Sequence, residues 1–225
     1  TGDAYASDTY SIGILKSTDG GINWSTTGLS YDVAQETTVN KVIINPNHTD
    51  SIYAVTNSSI LLSDDGGDNF NSIGIIGRWR DIEFKPGKPS TIYAAKQSSG
   101  GSDVYRSTDG GLNWNIINAG AESNGKFRPL IAVTPDNPEV IYALYSAGDY
   151  SFHGLYKSSD GGDSWVLQSD SPNILAWETD GTGTGGQAWY DLSLGVATNN
   201  ENLVYVGGIN IWKSVNGGVD WDIDA

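Results

Sequence analysis

An all-β propeller of four-stranded antiparallel blades is the fold class this sequence predicts, and three observations predict it. First, one motif, Ser-x-Asp-x-Gly-x-x-Trp, recurs five times. It reads S-T-D-G-G-I-N-W from Ser17, S-D-D-G-G-D-N-F from Ser63 and S-T-D-G-G-L-N-W from Ser107, then S-S-D-G-G-D-S-W from Ser158 and S-V-N-G-G-V-D-W from Ser214. The spacings are 46, 44, 51 and 56 residues, the range of a repeat architecture. Second, a stretch of alternating apolar residues, a polar turn and Ile/Val-Tyr precedes the last four copies, at 42–55, 82–95, 131–144 and 194–207. Third, no helical period competes with these short β-rich runs.

Each element of the unit follows from its residues. The alternating run is a strand, and the Pro/Asn/Asp cluster is a hairpin turn. Ile-Tyr-Ala opens a second strand, and a third ends at the motif Ser. Asp-Gly-Gly supplies a positive-φ turn, and a fourth strand starts at the aromatic residue. The Ser hydroxyl and Asp carboxylate are expected to satisfy turn amides, and the Trp to bury its ring between sheets. Four strands per repeat describe a propeller blade. The predicted blades are 1–30 (partial), 38–75, 78–118, 127–170 and 187–225 (partial), one domain over 1–225. A chain that starts and stops mid-blade is expected to be a segment of a longer polypeptide.

The motif residues are expected to be structural, since a catalytic group is needed once and not five times. They are Ser17, Asp19, Gly21 and Trp24; Ser63, Asp65, Gly67 and Phe70; Ser107, Asp109, Gly111 and Trp114; Ser158, Asp160, Gly162 and Trp165; and Ser214, Asn216, Gly218 and Trp221. Phe70 and Asn216 depart from the pattern but keep an aromatic plug and a side-chain acceptor.

Composition excludes several function classes. Twelve basic against 27 acidic residues give a net charge of −15. No basic stripe exists for nucleic acid, and an anionic membrane surface would repel the chain. There is no cysteine, so disulfides, Cys-ligated zinc and thiol catalysis are out. No run approaches the roughly 18 apolar residues of a membrane span. His48 and His153 show no metal-ligand spacing, and G-T-G-T-G-G (181–186) neither follows a strand nor opens a helix. No cofactor and no metal are expected.

The five motifs are identified as Asp-boxes, or BNR repeats. Combined with the Pro-x-x-Pro-x-x-Ile-Tyr-Ala stretch, they resemble sortilin-like and glycoside hydrolase family 74 (xyloglucanase) propellers, and also photosystem II assembly propellers. G-G-Q-A-W-Y-D-L-S-L-G-V (185–196) with V-Y-V-G-G-I-N-I-W-K-S (204–214) is similar to secreted Bacteroidetes propellers exported by type IX secretion. The resemblance covers essentially the whole chain. It implies a secreted or cell-surface protein and leaves activity open, because a fold hosts many functions.

Function is expected on the face opposite the Asp-boxes, on the loops between second and third strands and between blades. Aromatic and acidic residues cluster there: Tyr5 and Tyr10 in the first loop, Trp79 between blades two and three, Asp149, Tyr150 and Phe152 in 145–154, and Trp177, Trp189 and Tyr190 in 167–191. Aromatics beside carboxylates suit carbohydrate, whose apolar ring face packs on Trp or Tyr. These nine are the ligand-binding candidates. Glycoside hydrolysis needs two carboxylates, and the catalytic candidates are Asp3, Glu178 and Asp180, with Asp149 and Asp191 as further acids. T-G-D at Asp3 is loosely similar to the T-D-I-G-G stretch that carries an essential Asp in xyloglucanases. A sialidase fits less well: of Arg78, Arg80, Arg106 and Arg128, Arg106 adjoins Ser107 and faces the wrong end. The expected function is a binding module for polysaccharide or a protein partner. The alternatives are a xyloglucanase-like hydrolase and a scaffold or cargo of a larger secretion or surface complex.

Overall fold

A computed structural model describes residues 11–98, 100–118 and 125–223. The candidates Asp3, Tyr5 and Tyr10 lie outside the described residues. Eighteen strands are described. Two, β1 (Gly13–Lys16) and β2 (Ser25–Ser30), pair alone. A capped 3-10 turn at Val33–Gln35 leads to the first full blade: β3 (Val39–Ile44), β4 (Ile52–Thr56), β5 (Ile60–Ser63) and β6 (Asn71–Ile73). The second is β7 (Arg78–Phe84), β8 (Ile92–Ser98), β9 (Gly101–Ser107) and β10 (Asn115–Ile116). The third is β11 (Pro129–Val133), β12 (Ile141–Ser146), β13 (Phe152–Ser158) and β14 (Val166–Ser169). The fourth is β15 (Ser193–Ala197), β16 (Asn200–Gly207), β17 (Ile211–Ser214) and β18 (Asp222–Ile223). Each four-stranded sheet is a consecutive antiparallel meander, the architecture of a propeller blade. The last sheet, expected to be partial, has four strands, because the two residues after Trp221 pair with Trp212 and Lys213.

The sheets pack face to face through their apolar sides. Val55, Ile60, Ile82 and Ile92 join the first two full blades, and Val104, Ile131 and Ile141 join the next pair. The inner strands β3, β7, β11 and β15 lie side by side along the axis. Because successive strands run antiparallel, the Asp-box turns and the Pro-rich turns share one end of every blade. The second-to-third loops and the interblade connections share the other.

The Asp-box works as the residues suggest. In the third copy, Ser107 Oγ donates to Asp109 Oδ1 (2.7 Å) and accepts from the Gly111 amide (2.8 Å). Asp109 also accepts from the amide (2.9 Å) and the side chain (2.7 Å) of Asn113. Gly110 and Gly111 hold φ of 74° and 94°, which a side chain rarely tolerates. The fifth copy inverts the pair: Asn216 Nδ2 donates to Asp220 Oδ2 (2.8 Å), while Asn216 Oδ1 accepts from Ser214 Oγ (2.9 Å) and the Asp220 amide (3.0 Å). Exchanging Asp and Asn between the two positions preserves the network.

The boxes also join blades. Trp165 is buried and its indole N–H donates to Ile117 O of the preceding blade, and Trp221 donates to Ser169 Oγ (2.9 Å). Tyr53 reaches forward and donates to Gly110 O (3.0 Å). Lys16 donates to Gly66 O (2.7 Å) and Arg106 to Gly161 O (2.9 Å), so the residue before the motif Ser clasps the next box. Trp24 corrects the expectation of a buried ring. It is 62% exposed, because no sheet among the described residues stands before β1–β2, and its N–H bonds within its own turn to Gly21 O (3.0 Å).

Candidate functional site

The inner strands enclose a polar cavity of about 430 Å³ on the axis, lined among others by Asn40, Lys41, Arg80, Asp81, Arg128 and Tyr190. Its floor is an ion cluster. Lys41 Nζ lies 2.6 Å from both Asp81 Oδ1 and Glu83 Oε1. Asp81 also accepts from the amides of Ile82 (2.9 Å) and Ile131 (2.9 Å), so one carboxylate ties β3, β7 and β11 together. Burial pushes the Asp81 and Glu83 carboxyls up, against the pull of Lys41. Burial would lower Lys41, but its two carboxylates outweigh that and hold it above the usual lysine range. Arg80 Nε donates to Gln97 Oε1 (2.6 Å).

The long β14–β15 connection adds Tyr190 and Leu192 to the cavity lining, and its shape comes from amide and guanidinium anchors. Ile174, Leu175 and Ala176 are buried, and the first two join the core between the last two blades. Asn173 Nδ2 donates to Gly183 O and Gly185 O (2.9 Å each), while its Oδ1 accepts from the Phe152 amide (2.9 Å). Asn210 Nδ2 donates to the carbonyls of Ala176 and Trp177 (3.3 Å each). Arg128 donates to Ala188 O (3.0 Å) and to Trp189 O. Asn173 from within this 23-residue connection, and Asn210 and Arg128 from outside it, thus satisfy backbone carbonyls that strand pairing would otherwise have satisfied.

Pinned this way, the connection presents two exposed rings, Trp177 (56% exposed) and Tyr190 (65%). Glu178 is exposed beside Trp177, its carboxylate folded over Gly183, where a side chain would collide with it. A half-buried aromatic step stands next to them. Tyr150 packs edge-on against Phe127 (5.5 Å between centroids) and Trp189 (4.8 Å). Tyr150 has a φ of 67°, set by the tight turn that returns its amide to Ala147 O (3.0 Å).

Two aromatic candidates are corrected. Trp79 is wholly buried: it packs edge-on to Tyr105 (5.1 Å) and beside Trp114 (5.9 Å), with its N–H on Ile75 O (2.9 Å). Its strand begins at Arg78, so alternation turns the ring into the sheet interface. Phe152 is likewise in the core, on the first residue of β13. Neither ring reaches a ligand.

The acids divide by environment. Asp180 Oδ1 accepts from the amide (3.1 Å) and hydroxyl (2.7 Å) of Thr182, and Asp149 Oδ1 from the amide (3.1 Å) and hydroxyl (2.5 Å) of Ser151. These hydroxyl and amide donors hold both carboxyls below the usual range, so they build turns and make poor general acids. Asp191 behaves oppositely. Burial pushes it up, against its own amide and Arg128, and its Oδ1 is buried without a hydrogen-bond partner. In the sequence Asp191 is one acid among several, and Asn173 and Asn210 look like ordinary loop residues until their carbonyl partners are known. Arg106 meets Gly161 O and Asp163 Oδ1 (2.8 Å) on the Asp-box face, and Arg128 holds loop carbonyls.

No family model matches the chain. A curated xyloglucanase from Paenibacillus sp. is 26% identical over 215 residues, covering 88% of this chain and 20% of that enzyme. Among solved structures, a glycoside hydrolase family 74 enzyme from Niastella koreensis superposes with a TM-score of 0.71 at 21% identity, over 93% of this chain and 34% of that one. The family 74 xyloglucanase from Xanthomonas campestris gives 0.69 at 20% identity, over 94% and 36%. The chain thus spans about a fifth of its curated relative and about a third of these structures, and it shares their β-propeller fold along nearly all its own length.

Proposed function

We propose that this propeller is a polysaccharide-binding module, secreted or held at the cell surface, that takes a β-glucan of the xyloglucan type on the face opposite its Asp-boxes. The observation that carries this reading is the pair Trp177 and Tyr190, exposed large rings on a connection whose backbone is pinned by Asn173, Asn210 and Arg128. A rigid ring with an open face stacks on the apolar side of a pyranose, and preorganisation limits the entropy lost on binding. The xyloglucanase likeness supports the choice of glycan. No described helix is long and apolar enough to cross a membrane.

The test is affinity electrophoresis and calorimetry on xyloglucan. The wild type is expected to bind and Trp177→Ala to bind about fivefold more weakly, one stacking contact being worth roughly 1 kcal/mol. A wild type with no affinity for xyloglucan or mixed-linkage glucan defeats the reading.

Hydrolysis is the second reading, and Asp191 is the observation that favours it. A general acid needs a carboxyl raised toward neutrality, and Asp191 is the raised carboxyl of this connection, beside the exposed Tyr190. Reducing sugar released from xyloglucan by the wild type, and lost in Asp191→Asn with binding retained, would establish it. No release by the wild type would leave the binding module alone.

A further inference from the structure

Tyr150 holds a backbone conformation that its residue type disfavours. Its φ is 67°, and among the described residues Glu36 is the other non-glycine with a positive φ. Glu36 caps the Val33–Gln35 turn, an ordinary use of the left-handed region. Tyr150 ends no such turn. It lies in the 147–151 loop, where its amide donates to Ala147 O (3.0 Å) and the Ala147 amide donates to Ser151 O (2.8 Å). The loop's own glycine, Gly148, does not take the positive φ. A bulky side chain in this region is strained, and it stays there only where its surroundings impose it.

Those surroundings are two further connections on the face opposite the Asp-boxes. The Tyr150 ring packs on Phe127 (5.5 Å between centroids) and on Trp189 (4.8 Å). Phe127 is followed by Arg128, whose guanidinium donates to Ala188 O and Trp189 O. The contacts close a circuit, from Tyr150 to Phe127, along the chain to Arg128, across to Trp189 and back to Tyr150. The backbones are just as close. A methyl built on Gly186 would lie 2.4 Å from Tyr150 O and 2.6 Å from Leu175 O, so the β14–β15 connection passes between the 147–151 loop and its own buried segment. Directly after Trp189 comes the exposed Tyr190, its amide donating to Gln187 O (2.8 Å).

A ring that stacks on a sugar binds more tightly when it is already ordered. We propose that Tyr150 is a positioning residue of the glycan site: through Trp189 it fixes the direction of the Tyr190 ring, and it does not touch the sugar itself. This role rests on the reading of Trp177 and Tyr190 as stacking rings. Trp177 lies outside the circuit, its carbonyl held by Asn210 instead.

Calorimetry on xyloglucan with the full chain tests this, with circular dichroism and thermal melting confirming that each variant is folded. Tyr150→Gly keeps the turn and removes the ring, and should bind about fivefold more weakly, a coupling of the size found between neighbouring residues. Tyr150→Asn, which also tolerates this φ, should do the same. Tyr150→Phe keeps the ring and should restore the affinity. The decisive arm is a double-mutant cycle. In a Tyr190→Ala background Tyr150→Gly should cost no further affinity, while in a Trp177→Ala background it should cost its full factor. A role confined to stability would weaken binding alike in both. Equal losses in the two backgrounds overturn the proposal, and so does a Tyr150→Gly that binds like the wild type. Tyr150→Phe binding as weakly as Tyr150→Gly also overturns it, by putting the hydroxyl on the sugar. A wild type without affinity for xyloglucan ends the polysaccharide reading and this role with it.

Discussion

The two faces of this propeller are built on opposite principles. On the Asp-box face, one local network recurs five times, with Ser, Asp or Asn and two glycines within five residues closing every turn, and in the third, fourth and fifth copies the Trp plugs the seam behind it. On the other face nothing repeats. Its second-to-third loops include one of three residues at 57–59 and one of five at 147–151, and the β14–β15 connection at 170–192 dwarfs both. Each turn of the first face closes itself with short-range bonds. The second is held by Asn173, Asn210 and Arg128, side chains reaching 10 to 61 residues along the chain. A turn that must fit every blade cannot specialise, whereas a connection pinned from outside is free to carry exposed rings.

The comparison breaks most visibly at Trp165. Trp165→Ala removes a buried ring from a blade junction and should cost about 3–5 kcal/mol in urea unfolding, while Trp177→Ala on the other face should change stability by less than about 0.5 kcal/mol. Equal costs would mean the Trp177 connection is part of the core.

Next in size is Asn173→Ala, which orphans two carbonyls and one amide. It should cost about 1–3 kcal/mol and weaken xyloglucan binding without touching the rings. Asn118, which pairs with Asp103 and the Val104 amide within one blade, is the control. Asn118→Ala should lower stability and leave glycan affinity unchanged.

The smallest effect is in acid. The amide and side chain of the Asn four residues on hold the Asp19 and Asp109 carboxyls at about 2, and side-chain donors four residues on do the same for Asp65 and Asp160. A carboxyl lower in the folded than in the unfolded chain stabilises the fold above its unfolded value of 3.8, and that stabilisation fades as pH falls toward 2. Melting temperature should therefore drop across that window. Asp109→Asn, which removes one of these four carboxyls, should reduce the drop. A drop unchanged in this variant would place the acid sensitivity elsewhere.

The fold was legible because each repeat encodes its own turns locally. Ser63, Asp65 and Gly67 act on one another within a few residues, and four sheets in a row repeat the arrangement. The candidate site was legible only in part. Trp177 and Trp79 look alike in the sequence, each a lone Trp in an interblade stretch, yet one is 56% exposed and the other 0%. Trp79 is the second residue of β7 and packs between sheets against Tyr105 and Trp114, while Trp177 follows three buried residues at the point where the chain leaves the core.

The sequence by itself determined the blade: its strands, its turn chemistry, its spacing and its acidic surface. These rest on contacts between residues close in the chain. Only the tertiary structure decided which rings are open, which acids build turns and which carboxyl is raised. Exposure and carboxyl pKa depend on what packs from other blades: Asn210 on the Trp177 backbone, Arg128 beside Asp191, Tyr105 and Trp114 over Trp79. Those partners lie 26 to 63 residues away in sequence, and the chain's spacing carries no mark of which of them meet.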